Sequence, residues 1–469
     1  MTITSESPIS AATFSWPDAG RLHFPDNFEW GSATSSYQIE GAAESDGRGL
    51  SIWDVFAREE GRISDGSSGA VACDHYNRMD DDVAMMADLG LQAYRFSVAW
   101  PRVVPDGTGA ANPAGLDFYD RLVDALLARG IRPRPTLYHW YLPYALEQAD
   151  GWVARDTALA FADYAEAVVS RLGDRIDTWT TLNEPFVSAN HGYVTGEHAP
   201  GRTSMAEGFA ASHHLLLAHG LAGERIRSLA PDARLAIVIN FTDLIPDSDR
   251  PEDAEATRHQ HALENRWYTD PLAGYGYPAD TAAHFEWNYS EVQDGDMELI
   301  SQPIDLMGVN FYTRGRVDAQ GEATTPDHLP QNTMGWEIHP PSLGKLLRWL
   351  RDSYDFPSYQ ITENGAPMPD QTRVNGRIED DDRLGFVRDH LAQVHSAIAD
   401  GCPIVGYLVW SLLDNFEWAW GYGPRFGIVE VDFETLERRP KKSAHWFAAA
   451  AADNGFDFPG PMYPGEAQS

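Results

Sequence analysis

Thr181-Leu182-Asn183-Glu184-Pro185 is the stretch on which the fold turns, read together with Ile361-Thr362-Glu363-Asn364-Gly365 far downstream. Each sets one glutamate at the end of a short β-rich run, just before a residue that stops a strand. Pro185 has no N–H and biases Glu184 toward an extended backbone. Asn364-Gly365 is a turn dipeptide, so Glu363 is expected as the last residue before the chain bends. In a barrel of parallel strands, the strand ends on one face open into one pocket, where functional side chains collect.

Working outward, eight strand-like runs emerge: 28–34, 93–97, 132–138, 178–183, 235–240, 305–310, 359–363 and 404–410. Helical patterns separate them. Residues 119–129 set Leu122, Leu126 and Leu127 on one face, with Gly130 as a stop. Residues 157–171 turn Phe161, Tyr164, Ala165 and Val168 inward, and 343–350 align Leu343, Leu346, Leu347 and Leu350. This alternation predicts an α/β fold, a single-domain (β/α)8 TIM barrel with long loops on its C-terminal face. An open doubly wound sheet would need a Gly-rich phosphate loop, which Gly31-Ser32-Ala33-Thr34 does not supply. Residues 1–20 read as a mobile polar arm, 21–455 as the catalytic barrel and 456–469 as a loose tail. Two long loops stand out. Residues 34–76 carry Gln38, Trp53 and Phe56, and 313–341 carry Trp336, an expected aromatic rim.

The chain has 469 residues, 43% of them hydrophobic, enough for a large core. A net charge of −35 repels nucleic acid and anionic membranes, so neither is an expected partner. No run reaches the ~18 apolar residues of a membrane span. Residues 1–12 lack the cationic start and apolar core of a Sec-type signal, so none is expected. Only Cys73 and Cys402 occur, which fits a reduced, cytoplasmic setting. Asp80-Asp81-Asp82 and Glu379-Asp380-Asp381-Asp382 read as acidic helix starts, without metal-loop spacing. His213-His214 and His259-Gln260-His261 show no metal motif, and no metal is expected.

The glutamates carry the chemistry. Two carboxyls facing one pocket are the minimal machinery for cleaving a glycosidic bond, and in retaining enzymes they sit ~5–5.5 Å apart. One attacks the anomeric carbon; the other protonates the leaving oxygen and later deprotonates water. The acid needs a raised pKa, which burial and the second carboxylate supply. Arg95, at the end of the second run, could hold Glu363 ionised, and Tyr312 could donate to the same carboxylate. Gln38, His139, Asn183, Asn310 and Glu417 offer polar groups at or past strand ends for sugar hydroxyls, and Trp140, Trp410 and Trp418 offer aromatic faces. A transglycosylase with the same site, or a sugar-binding receptor on the same fold, are the alternatives. The receptor is disfavoured because both carboxylates are present.

The chain also resembles family 1 of the glycoside hydrolases, the β-glucosidase family, over 24–447. The resemblance rests on Phe28-Glu29-Trp30-Gly31-Ser32-Ala33-Thr34, Tyr37-Gln38-Ile39-Glu40-Gly41, Tyr138-His139-Trp140, the two glutamate stretches, and the 410–418 run Trp410-Ser411-Leu412-Leu413-Asp414-Asn415-Phe416-Glu417-Trp418. It implies retention without any cofactor, with Glu184 as acid/base and Glu363 as nucleophile. It implies that Asn183 contacts the 2-hydroxyl. It gives the other glycone hydroxyls to Gln38, His139, Trp140, Glu417 and Trp418. Asn310, Tyr312 and Arg95 would support the nucleophile, Trp410 would lie under the sugar, and Trp336 would face the aglycone. The implied partners are small molecules: β-glucosides, cello-oligosaccharides, aryl or alkyl glucosides, with side activity on β-galactosides and β-fucosides. Glu417 disfavours a 6-phosphorylated glycone, and Glu184 distinguishes the chain from thioglucosidases that carry Gln there. Tyr141 stands where the family has Asp, Ala99 where it has Ser, and Asn190-His191 is unusual on the acceptor side. These departures bear on specificity, not on the reaction.

Overall fold

The computed structural model describes residues 4–465 except Glu322. Among them, eight parallel strands close a barrel: β1 (Glu29–Ala33), β2 (Ala93–Ser97), β3 (Arg132–Tyr138), β4 (Thr178–Asn183), β5 (Arg234–Pro246), β6 (Leu306–Val317), β7 (Tyr359–Asn364) and β8 (Ile404–Trp410). Each pairs with its sequence neighbours, and β8 returns to β1 to close the ring. Most strands are buried along their whole length, polar residues such as Arg95, Thr180 and Gln360 included, so they lack the exposed polar face of a half-buried sheet. Inside the ring, Glu29 of β1 accepts from Arg134 of β3 at 2.7 Å and from Gln360 of β7 at 2.8 Å, so its charge is compensated where water is absent.

The expected strand positions hold, but β5 and β6 run six and seven residues past their expected ends. Thr242, Asp243, Thr313 and Arg314 made these extensions look like loop. They pair with one another instead, from Asp243↔Arg314 to Pro246↔Val317, as a ribbon beyond the barrel mouth.

The patterns 157–171 and 343–350 fall within Arg155–Leu172 and Pro340–Ser353, and 119–129 overlaps Pro113–Leu127, which ends two residues sooner; the expected apolar residues are buried save one. Leu127 is 40% exposed, at the end of its helix where the apolar face has rotated away. Gly130 follows with φ +72°, the left-handed turn that a side chain resists. The acidic run 379–382 does start a helix, Asp381–Ala399. The run 80–82 does not: its helix begins earlier, at His75, behind polar residues that carried no signal. Asp82 is buried there against Arg438 and His75, at 2.8 Å from each.

Both chain ends differ from the expected arm and tail. Ile9 is buried, Trp349 Nε1 donates to Ser7 O at 2.9 Å, and Gly20–His23 pairs antiparallel with Gly455–Phe458. Asp389 accepts from the backbone N–H groups of Met462 and Tyr463 at 2.6 and 2.8 Å. The arm's few apolar residues are its anchors, which bulk polarity hid. Residues 1–3 of the arm and 466–469 of the tail lie outside the described residues. No helix among the described residues is long and apolar enough to cross a membrane. No group of three or more His, Cys, Asp or Glu among them is arranged to hold a metal ion.

Candidate active site

The C-terminal strand ends surround a cavity of about 380 Å³. Glu184 and Glu363 both line it, from opposite sides of the ring, together with His139, Tyr312, Trp410 and Glu417.

Glu184 is not extended, contrary to the sequence reading. It sits at φ +49° and ψ +67°, and Pro185 starts the helix Pro185–Tyr193 directly after it. A residue before proline is barred from the right-handed helical region, and the abrupt switch from strand to helix drives Glu184 into the left-handed one. Its N–H is held by Val238 O at 2.9 Å, so the main chain of β5 fixes this conformation. Trp140 and Trp418 also have positive φ, +67° and +47°. Such strain collects where the surrounding structure over-determines a functional position.

Gly365 is required for closeness rather than for a bend, since β7 continues to Asn364. A Cβ on Gly365 would lie 1.6 Å from Trp410 O. Gly365→Ala is therefore expected to destabilise the chain by at least about 3 kcal/mol, read as a shift in denaturant midpoint. A stable, fully active alanine variant would show that β7 and β8 can separate freely.

The two carboxyls have unlike surroundings. Glu363 accepts from Arg95 Nη1 on one oxygen and from Tyr312 Oη on the other, the latter at 2.5 Å. Arg95 is itself aimed by Thr136 Oγ1 at 3.1 Å and by Asn183 Oδ1 at 2.7 Å. Glu184 accepts from Asn310 Nδ2 at 2.6 Å. Asn310 is oriented by Thr362, whose hydroxyl donates to Asn310 Oδ1 at 2.7 Å. Burial raises both pKa values. For Glu184 the Glu363 charge adds to it, pushing the pKa up to about 8. For Glu363 burial is opposed by Arg95, Tyr312 and Asn310, all of which favour the anion. The protonated member near neutral pH is thus Glu184. Burial and the same carboxylates push the Tyr312 phenol well up, so it stays a donor.

The remaining expected residues divide into a lining set and a supporting set. His139, Trp140, Tyr312, Trp336, Trp410, Glu417 and Trp418 line the cavity. Arg95, Gln38, Asn183 and Asn310 lie behind it and orient the lining groups. Asn183 Oδ1 is taken by Arg95 and Asn310, so its Nδ2 donates to His139 Nε2 at 3.1 Å. The ring proton of His139 therefore sits on Nδ1, and burial with the nearby Arg95 charge keeps the ring neutral. Gln38 Nε2 contacts Asn415 Oδ1, Phe416 O and Glu417 Oε2 at 3.0, 2.9 and 3.2 Å. Burial and the Glu363 charge push Glu417 up to about 8. Trp418 packs on Trp140 with ring centroids 4.7 Å apart, and Trp336 meets Tyr312 edge-on at 5.9 Å.

Tyr141 does not line the cavity. It packs behind it on Tyr37, at 5.1 Å between centroids, under the Arg48 guanidinium. His191 does line the cavity, and its Nδ1 is 3.1 Å from Glu197 Oε2. Sequence reasoning missed other parts of the wall, among them Val187, His198, Asn240, Thr242, Met334 and Phe426. Asn240 ends the expected run of β5, and Thr242 sits on its extension, whose signal was its pairing with β6. His198 belongs to no motif and is placed by packing on Trp53 and Trp140.

The profile of glycosyl hydrolase family 1 matches residues 21–456. Beta-glucosidase A of Acetivibrio thermocellus is 43% identical, over 93% of this chain and 100% of that protein. A bifunctional beta-D-glucosidase/beta-D-fucosidase of Bifidobacterium breve is 41% identical, over 92% of this chain and 98% of its own. The structure of the Thermotoga maritima beta-glucosidase in complex with glucoimidazole superposes with a TM-score of 0.89 at 41% identity, covering 92% of this chain and 100% of that one. A closed parallel barrel, two buried carboxyls in one cavity and family-wide similarity along nearly the whole length agree: the chain belongs to glycosyl hydrolase family 1.

Proposed function

We propose that the chain is a retaining exo-β-glucosidase in which Glu363 is the nucleophile and Glu184 the acid/base. The observation that carries the assignment is the asymmetry of the pair. Arg95 and Tyr312 occupy both oxygens of Glu363 and favour its anion, whereas Glu184 has one amide partner and a pKa of about 8. In the first step a Glu363 oxygen forms a bond to the anomeric carbon, and the glycosidic C–O bond breaks. The leaving oxygen takes the Glu184 proton. Esterified, Glu363 has lost its charge, which is one of the groups holding the Glu184 pKa up. Glu184 is then a carboxylate able to take a proton from water, whose oxygen attacks the anomeric carbon and frees Glu363. Arg95 returns to pairing a full anion, so the cycle needs no further group.

The glycone is proposed to lie on Trp410, with Glu417 toward its far hydroxyls and His139 beside them, oriented from behind the wall by Gln38 and Asn183 respectively. Beyond the scissile bond, Trp336 and Phe426 provide apolar faces, and His191, Asn240 and Thr242 provide hydrogen-bonding groups. That mixture suits a sugar or aryl aglycone, hence cello-oligosaccharides and aryl or alkyl β-glucosides as substrates. The relative with both glucosidase and fucosidase in its name supports β-fucoside turnover as a side activity. Two buried cysteines, both free, support the proposed cytoplasmic setting.

The test is a panel of p-nitrophenyl β-glycosides. Glucoside and fucoside are expected to turn over. The 6-phosphoglucoside is expected at least about 100-fold lower in kcat/KM, because a phosphate would sit among buried carboxyls. Preference for the phosphorylated glycone would overturn this reading of Glu417.

A further inference from the structure

Lys441 is fully buried, and its ammonium bridges two carboxylates, Asp370 Oδ2 at 2.6 Å and Asp414 Oδ1 at 2.9 Å. Asp370 lies in the segment that follows β7, and Asp414 in the segment that follows β8. Lys441 itself comes from beyond both, at the start of the helix Lys442–Ala452. One charge therefore ties together the chain leaving the nucleophile strand and the chain leading to Glu417.

The two carboxylates depend on Lys441 unequally. Asp370 also accepts from Arg383 Nη1 at 2.8 Å. Asp414 has the Gly427 N–H at 2.9 Å, while Arg425 is 3.7 Å away. Without the ammonium, Asp414 is the group left short of compensation. Its main chain opens the turn that carries Asn415, Phe416 and Glu417, and Gln38 contacts all three. The nucleophile is insulated from this. Glu363 is held by Arg95 and Tyr312, whose hydrogen bonds run to Glu363, Thr136 and Asn183 and not to Lys441, Asp370 or Asp414. Gly365 is wedged against Trp410 between Glu363 and Asp370.

We propose that Lys441 is a positioning residue for the glycone end of the pocket: by bridging Asp370 and Asp414 it sets the place of the Glu417 carboxyl against Gln38. The proposal rests on the reading of Glu417 as a contact to the glycone's far hydroxyls, and it adds the device that keeps that contact in register. A displaced Glu417 weakens sugar binding without altering the reacting pair. The loss falls on KM, and on substrates that present a C6 hydroxymethyl group.

The experiment compares p-nitrophenyl β-glucoside with p-nitrophenyl β-xyloside, which lacks that group, in Lys441→Met, Lys441→Arg and Glu417→Gln. Folding is verified by near-UV circular dichroism. In Lys441→Met the glucoside KM is expected to rise about tenfold with kcat within about threefold, and the xyloside to change little. The glucoside-to-xyloside ratio of kcat/KM thus falls about tenfold, and Lys441→Arg recovers most of it. A merely structural lysine would lower both substrates together, leaving the ratio unchanged, and that result overturns the proposal. Should Lys441→Met not accumulate folded, Asp414→Asn gives the same reading with an expected fall of about threefold, and an unchanged ratio there overturns it equally. An unchanged ratio in Glu417→Gln overturns the glycone reading itself and this proposal with it. A changed Glu417→Gln ratio beside an unchanged Lys441→Met ratio overturns the proposal alone.

Discussion

Replacing Glu363 with alanine lowers kcat on aryl β-glucosides by about 10⁵-fold or more, because no covalent intermediate can then form. The size of the effect follows from the way the site is built. Arg95 and Tyr312 are both directed at this carboxylate, and neither is a nucleophile. A water admitted to the space would meet an anomeric centre without the covalent partner that divides the reaction into two easier steps. The arginine left behind keeps Thr136 and Asn183, so the variant is expected to fold. Glu363→Gln, whose single amide oxygen can still accept from Arg95 while its Nε2 donates toward the Tyr312 hydroxyl, serves as the gentler control and should be nearly as inactive. The check is steady-state turnover of freshly purified, contamination-free protein with a matched unfolding curve. Residual activity within about 10³-fold of wild type would remove Glu363 from the nucleophile's role.

The second large effect belongs to Glu184 and depends on the leaving group. Glu184→Ala is expected to lower kcat/KM by about 10²–10⁴-fold for alkyl glucosides and cellobiose, whose leaving oxygens need a proton. An activated leaving group such as dinitrophenolate needs none, so its glycosylation step should be nearly untouched. Deglycosylation still lacks a base. Azide, which needs no deprotonation, should accelerate it and yield a β-glycosyl azide. An equal loss on every leaving group without azide product would count against Glu184. The pH profile carries the same information. Glu184 acts protonated with a pKa of about 8, so wild-type kcat/KM should fall on the basic side near that pH. Glu184→Gln should lose this limb on activated substrates.

Stability responds with a definite sign. The folded pKa of Glu184 is raised from 4.5 to about 8, so the folded state binds the proton more tightly than the unfolded one. Whatever Glu184 contributes is present below pH 4.5 and lost as pH rises through 8. Glu184→Gln should therefore raise Tm by roughly 4 °C at pH 8.5 and by almost nothing at pH 4.5. A Tm difference independent of pH would mean that the carboxyl is not desolvated as the geometry requires.

Much of this was legible in the chain itself, and what was legible shares a physical basis. Short strand-like runs such as 93–97 and 359–363 and the helical stripe of Leu343, Leu346, Leu347 and Leu350 are local patterns, set by the two side-chain periods of strand and helix. Glu184 and Glu363 could be placed at strand ends from their neighbours, and the motifs around Gln38, His139 and Glu417 pointed to the cavity wall and its support. What stayed hidden depends on segments far apart in sequence. The β5 and β6 extensions look like polar loop until they pair with each other. Ile9 looks like part of a polar arm until it is buried.

By itself, then, the amino-acid order determined how many barrel strands there are, about where each begins, and that two carboxyls share one mouth. The resemblance named Glu184 as the acid, but only tertiary structure supplies the groups that make it hold the proton. The difference between the two carboxyls comes from burial and from Arg95 and Tyr312, brought to Glu363 from two other strands, β2 and β6, and electrostatics in a dry cavity is settled by distance rather than by sequence neighbours. Tertiary structure likewise forced Glu184 into a left-handed backbone, set Gly365 against Trp410, and placed Lys441 between Asp370 and Asp414. Each of these is a close contact between segments the chain keeps far apart, and only closure of the barrel brings them within reach.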